Sequence, residues 1–153
     1  MAKPKHYIDT IYYDLELTSN AIKALGSQMF EKFKLGITPM EHAVLDTLSC
    51  NDGICQRDLA KLILRDRANT GRILHSLENK GLITKSVDKK NNRTINRLNI
   101  TDNGKKIIRI VHKKIEQTLY NARLSITDNE IEQIQNSLKK LRGAVLDMVN
   151  MQI

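Results

Sequence analysis

The reading turns on residues 66–83, Asp66-Arg67-Ala68-Asn69-Thr70-Gly71-Arg72-Ile73-Leu74-His75-Ser76-Leu77-Glu78-Asn79-Lys80-Gly81-Leu82-Ile83. At about 100° per residue, Thr70, Ile73, Leu74 and Leu77 share one face, which predicts a helix packed on that side. Ala68, Gly71, Arg72, His75 and Asn79 share the opposite face, with Arg65 and Arg67 at its N-terminal end. Gly81 is suited to stop the helix, and Leu82-Ile83 begins a strand-like run. Ala68 and Gly71 are small enough to let backbone approach a groove. Arg, Asn and His reach phosphates and base edges, so Arg65, Arg67, Ala68, Asn69, Gly71, Arg72 and His75 form a candidate DNA-recognition helix. Free N–H groups at the start of the helix add an expected phosphate site.

Leu82 to Val87 and Thr94 to Ile100 have strand composition and flank a polar tip, which predicts a β-hairpin. Lys89, Lys90, Arg93 and Arg97 make it basic, as a wing following a DNA backbone would be. Residues 57–104 hold 11 basic and 5 acidic side chains, so most of the net charge of +8 falls on this segment.

Upstream, Thr38-Pro39 with Glu41 spells a capped helix start that continues through Val44, Leu45 and Leu48. Asn51-Asp52-Gly53 is a turn, and a short helix follows with Leu59, Leu62 and Ile63 as its apolar stripe. Further out, residues 7–33 have the periodicity of one helix, roughly 40 Å long. Residues 103–124 and 127–150 predict two more, the last with Thr127 as cap and Glu130 three later. Ile8, Ile11 and Leu15 on the first helix, and Ile131, Ile134, Leu138, Leu141 and Val145 on the last, form seams that a small core cannot cover. The expected fold is therefore mainly α with a small β-hairpin wing. It is a winged helix-turn-helix flanked by long N- and C-terminal dimerisation helices. Residues 1–36 and 103–153 form the helical dimerisation region and residues 37–102 the DNA-binding region, in one integrated domain.

In this order and spacing the motifs resemble those of the MarR (multiple antibiotic resistance regulator) family. Arg57-Asp58-Leu59-Ala60 is similar to the family's ELA helix, and Leu77-Glu78-Asn79-Lys80-Gly81-Leu82-Ile83 to its LE-x-K-G-L-I signature. Ile100-Thr101-Asp102-Asn103-Gly104 is similar to the LT-x-x-G that closes the wing. The family's wing carries Asp-x-Arg seven residues before that Thr. Here Arg93 stands eight before Thr101, with Asn91 in the place of the Asp, so Arg93 is the expected wing contact and Arg97 its substitute. The resemblance implies a homodimer on a pseudo-palindromic double-stranded operator, acting as a repressor released by a small-molecule ligand. A protein-interaction module on the same fold, or a non-specific DNA-compacting protein, are the alternatives.

Other features exclude more than they suggest. With 41% apolar and 4% aromatic residues, the core must be aliphatic. No stretch approaches a membrane span, and the basic start from Met1 to His6 lacks the apolar run of a signal peptide, so a cytoplasmic protein with no membrane partner is expected. Neither a phosphate loop nor a catalytic triad is visible, and no enzyme activity or cofactor is expected. His6, His42, His75 and His112 show no metal-ligand spacing, so no metal is expected. Tyr12, Tyr13 and His42 are candidates for an effector pocket, against ordinary packing as the simpler account. Cys50 and Cys55 flank the turn at 51–53 and are a candidate redox pair, as in a thiol-based sensor. Cys55 begins a helix and is the more reactive of the two; buried structural thiols are the simpler account.

Overall fold

In the computed structural model, residues 5–90, 93–123 and 125–149 are described. A 3₁₀ turn at Tyr7–Asp9 precedes helix α1 (Ile11–Lys32). Helix α2 (Pro39–Ser49), strand β1 (Ile54–Cys55), helix α3 (Gln56–Leu62) and helix α4 (Arg67–Asn79) follow. Strands β2 (Ile83–Lys90) and β3 (Arg93–Ile100) make the hairpin, and helices α5 (Asp102–Arg123) and α6 (Asp128–Met148) complete the chain. The sheet is antiparallel in the order β1-β3-β2. This is the winged helix-turn-helix with long flanking helices that the sequence predicts.

Local chemistry sets the boundaries. Thr38 accepts from the Glu41 N–H while the Glu41 carboxylate accepts from the Thr38 N–H, and Thr127 and Glu130 repeat the arrangement at α6. Gly81 takes φ +67° after α4, a conformation that glycine adopts without strain. Two expectations need correction. The helix predicted over 7–33 is interrupted at Thr10, whose extended backbone (φ −104°, ψ 150°) and side chain cap α1 at the Tyr13 N–H. The turn at 51–53 leads into β1, where Ile54 pairs with Leu98 and Cys55 with Arg97, so the wing is three-stranded.

The core is aliphatic and shared. Val44, Leu45 and Leu48 of α2 meet Leu59 of α3, Leu74 and Leu77 of α4, Ile83 and Leu98 of the sheet and Val111 of α5, all essentially solvent-free. Leu62, by contrast, is exposed and does not belong to the α3 stripe. Met29 and Phe30 bring the end of α1 into the same cluster. The end of α1 and the first half of α5 therefore pack on the same core as α2, α3, α4 and the sheet. Helix α6 contributes no residue to this core. Ile8, Ile11, Ile134, Leu138 and Val145 are exposed in the single chain, while Leu15, Ile131 and Leu141 are half-buried.

The junction of wing and α5 explains one motif. Thr101 Oγ1 donates to the Gly81 carbonyl (2.8 Å) and accepts from the Gly104 N–H (3.1 Å), and the Thr101 N–H donates to the Leu82 carbonyl (3.1 Å). A β-carbon at Gly104 would overlap the Leu82 carbonyl oxygen and lie 2.7 Å from Ile100 Cγ1. Only glycine lets α5 start this close to the strand.

Candidate nucleic-acid interface

Helix α4 presents the faces that the sequence predicts. Thr70, Leu74 and Leu77 are buried and Ile73 packs against the core. Arg65, Arg67, Ala68, Arg72 and His75 are exposed, and Asn69 and Gly71 are half-buried. Among the described residues, Arg65, Arg67 and Arg72 have no carboxylate partner, whereas Arg57, Lys80, Lys85 and Arg97 are all in ion pairs. Three unspent guanidinium groups therefore gather around the first half of α4. His75 Nε2 lies 3.2 Å from Asn79 Nδ2, one turn further on.

Three sequence assignments change in detail. Asp66 caps α4 by accepting the Asn69 N–H at 2.8 Å, and the Asn69 side-chain amide also donates to it. Those hydrogen bonds, the backbone one first, hold the Asp66 carboxyl below its usual range against a weaker opposing effect of desolvation. The expected phosphate site at the start of the helix is thus filled by a carboxylate, and Asn69 is occupied in the cap. Gly71 faces α3: an added β-carbon would sit 3.3 Å from Gln56 Nε2, which donates to the Arg67 carbonyl at 3.2 Å. Its missing side chain serves helix–helix contact, and Gln56 emerges as the brace between α3 and α4.

Arg97 is the third change. Its Nε and Nη2 each lie 3.3 Å from Asp88 Oδ2, and Nη1 donates to the Gly53 carbonyl at 3.1 Å. The guanidinium ties β2, β3 and the turn before β1 together, so it braces the wing instead of standing free for a phosphate. An Asp–Arg tether is therefore present, made by Asp88 and Arg97. Lys90 pairs with Arg93 and Lys89 with Thr94 along the hairpin backbone. The side chains of Lys89, Lys90 and Arg93 lie outside the described residues.

The base of α4 is fixed to α2. Glu41 is buried and receives hydrogen bonds from Lys80 Nζ, Ser76 Oγ and the Thr38 N–H. Burial alone would raise its pKa; those hydrogen bonds outweigh burial and hold it below the ordinary value.

The candidate effector residues do not converge. Tyr12 lines a groove of about 500 Å³ with Leu15, Leu64 and the α6 residues Leu138, Leu141 and Val145. Tyr13 packs edge-on against Tyr7, with ring centroids 5.7 Å apart. His42 instead meets the other end of α1, with its ring 5.8 Å from Phe30. Two tyrosines at the start of a 22-residue helix and a histidine facing its end cannot share one small pocket. His42 is also 5.5 Å from the His112 ring, and His112 Nε2 lies 3.1 Å from Asp46 Oδ1. Desolvation lowers the His42 pKa, with Asp46 opposing and His112 reinforcing the shift. The histidine spacing in the sequence concealed this neighbourhood, because it joins α2 to α5.

Cys50 and Cys55 are free thiols, Cys50 exposed and Cys55 half-buried. Cys55 Sγ donates to Asp58 Oδ2 at 3.1 Å. Nothing in this geometry or among the relatives supports a redox pair. Among the described residues no helix is long and apolar enough to cross a membrane.

The fold is that of a winged-helix protein, with unpaired guanidinium groups on the exposed side of α4. The sequence profile of the MarR family matches residues 37–95. The chain is 27% identical over 135 residues to YybA of Bacillus subtilis (strain 168), an uncharacterized HTH-type transcriptional regulator, covering 88% of each chain. It is similar to the transcriptional regulator SlyA (TM-score 0.75, 26% identity, 88% of this chain and 93% of that one). In fold it also matches the MepR–DNA complex of S. aureus (TM-score 0.74, 24% identity, 89% and 98%). The match to the MarR-family profile is confined to residues 37–95, and the likeness to SlyA extends over the helices on either side of it.

Proposed function

We propose that the protein is a homodimeric, sequence-specific double-stranded DNA-binding regulator of transcription in the cytoplasm, without catalytic activity, and that it represses until an effector releases it. Residues 37–102 are the reading head; residues 1–36 and 103–153 are the dimerisation region. The observation that carries this reading is the set of unpaired guanidiniums of Arg65, Arg67 and Arg72 on the exposed side of α4, whose other side is locked into the core. Arg72 and His75 read base edges in the major groove, Arg65 and Arg67 hold phosphates, and Lys89, Lys90 and Arg93 follow the backbone from the wing. The exposed seams of α1 and α6 are the surface a second copy covers. Two-fold pairing sets the two α4 helices about 34 Å apart, which asks for a pseudo-palindromic operator. That the chain resembles a regulator solved on DNA supports the same reading.

Fluorescence anisotropy with the duplex upstream of the protein's own gene and a scrambled duplex, at about 50 and 200 mM salt, tests this. A preference of roughly 10³-fold for the upstream duplex is expected. Equal, steeply salt-dependent binding to both would favour a DNA-compacting protein, and no binding to either would favour a protein-interaction module.

A further inference from the structure

We propose that His42, Asp46 and His112 form a binding site for a divalent transition-metal ion of the zinc type, bridging α2 and α5. His42 and Asp46 are four residues apart on α2, hence on one face, and His112 reaches them from α5. One ligand atom from each residue lies within 4.8 Å of the other two, and the His112 Nε2–Asp46 Oδ1 pair is already at 3.1 Å. Zinc bonds of about 2.0–2.2 Å at tetrahedral angles separate ligand atoms by roughly 3.4 Å. Side-chain rotations of an ångström or so therefore close the set around an ion.

A second observation points the same way. His42 Nε2 is buried and has no hydrogen-bond partner, the one such side-chain atom among the described residues. A buried imidazole nitrogen without a hydrogen-bond partner is rare, and a metal ion held there would satisfy it. Two imidazoles and a carboxylate select zinc, cobalt, nickel or iron over magnesium and calcium, which prefer all-oxygen sites. The exposure of His112 leaves a way in and room for water to complete the coordination.

The site spans the joint between the reading head and the flanking helices. An ion there fixes α2 against α5, and so selects one orientation of α4 relative to the dimer arm. Resting on the regulator reading, this makes the metal ion the effector, or one of its effectors.

The test uses the full-length protein stripped of metal. Zn²⁺ is titrated against a chromophoric chelator, and Co²⁺ is followed by its visible absorption. One ion per protomer is expected, bound more tightly than about 1 µM and not displaced by millimolar Mg²⁺. His112→Ala and Asp46→Asn, both at solvent-accessible positions, should keep the circular dichroism of the parent and weaken binding at least about 30-fold, within the range seen when a ligand or its support is lost. His42→Gln should do the same. Absence of binding, or equal binding by His112→Ala, overturns the site. Zinc should also change affinity for the upstream duplex at least about fivefold in the parent and not in His112→Ala. Zinc binding through these residues with DNA affinity unchanged overturns the effector role. Zinc binding without any duplex binding upholds the site and overturns the regulator reading instead.

Discussion

Lys80 Nζ lies 2.8 Å from each carboxylate oxygen of Glu41, so the end of α4 is clamped to the first turn of α2. Glu41 is only 4% exposed, and without Lys80 its charge would be left with Ser76 and the Thr38 N–H alone. Breaking a buried pair from one side is costly because the other charge stays behind. Lys80 is part-exposed, which lets water soften the loss. Lys80→Ala is expected to destabilise the protein by about 2 kcal/mol in urea unfolding. A change below about 0.5 kcal/mol would show that the clamp is ornamental.

Two glycines in helices should respond with opposite signs. Gly104→Ala drives a methyl group into the Leu82 carbonyl and Ile100 and is expected to cost about 1–3 kcal/mol. Gly143 on α6 has open space where its β-carbon would be, so Gly143→Ala should stabilise by up to about 1 kcal/mol. Thermal melts of the two variants at matched concentration would distinguish these effects, and a stabilised Gly104→Ala would refute the close approach.

The proposed interface has an unpaired arginine, Arg72, and a bracing one, Arg97, and the two should respond differently. Arg72→Ala should weaken operator binding by about 1–3 kcal/mol and relax sequence preference. Arg93→Ala and Lys90→Ala should weaken all duplexes alike and lower the salt slope by about one. Arg97→Ala removes the tie from Asp88 to Gly53, so its first effect should be a less stable wing in the absence of DNA, seen as faster amide exchange in β1 to β3. Unchanged exchange would return Arg97 to the phosphate contacts.

Acid should weaken the helix caps. Asp66 and Glu130 titrate below their ordinary values because each accepts backbone N–H bonds at a helix start, from Asn69 and Thr127 respectively. A lowered native pKa means that the stabilisation is fully present above the unfolded-state value. It is lost as pH falls through the native one. Asp66→Asn keeps a capping oxygen but cannot titrate, so this variant should lose less stability between about pH 5 and 3 than the parent. Parallel urea midpoints across that range would contradict the assignment.

The dimer seam is open to the same kind of check. Leu138→Asp places a charge in the exposed apolar row of α6 and should shift the protein toward monomer in sedimentation, with operator binding lost in proportion. A dimer of undiminished strength would move the interface elsewhere.

What could be read from the chain was what is local. The capping boxes at Thr38–Glu41 and Thr127–Glu130 are spelled within four residues, and the buried stripe of α4 follows from helical periodicity. The apolar rhythm runs across Thr10, and a cap depends on backbone angles that periodicity does not encode. β1 is two residues long and exists only because β3 offers it an edge. Gln56 against Gly71, Asp88 with Arg97, and His42 beside His112 join residues 9 to 70 positions apart, and no spacing rule connects them. Asp88 in particular lies outside the Asp-x-Arg spacing of the motif, and only the register of β2 on β3 brings it to Arg97.

Glu41 and His42 are consecutive, and under the proposed function that adjacency would set how a signal travels. Helical geometry points neighbouring side chains in different directions, here one to Ser76 and Lys80 of α4 and the other to His112 of α5. Helix α2 therefore behaves as a short crank with a bearing on each side. Torque applied at the arm arrives at the reading helix through one rigid rod of 11 residues, without passing through a loop. Regulation by such a crank needs only a small rotation, and a change of side chain at either bearing would retune the response while leaving the DNA-contacting surface untouched.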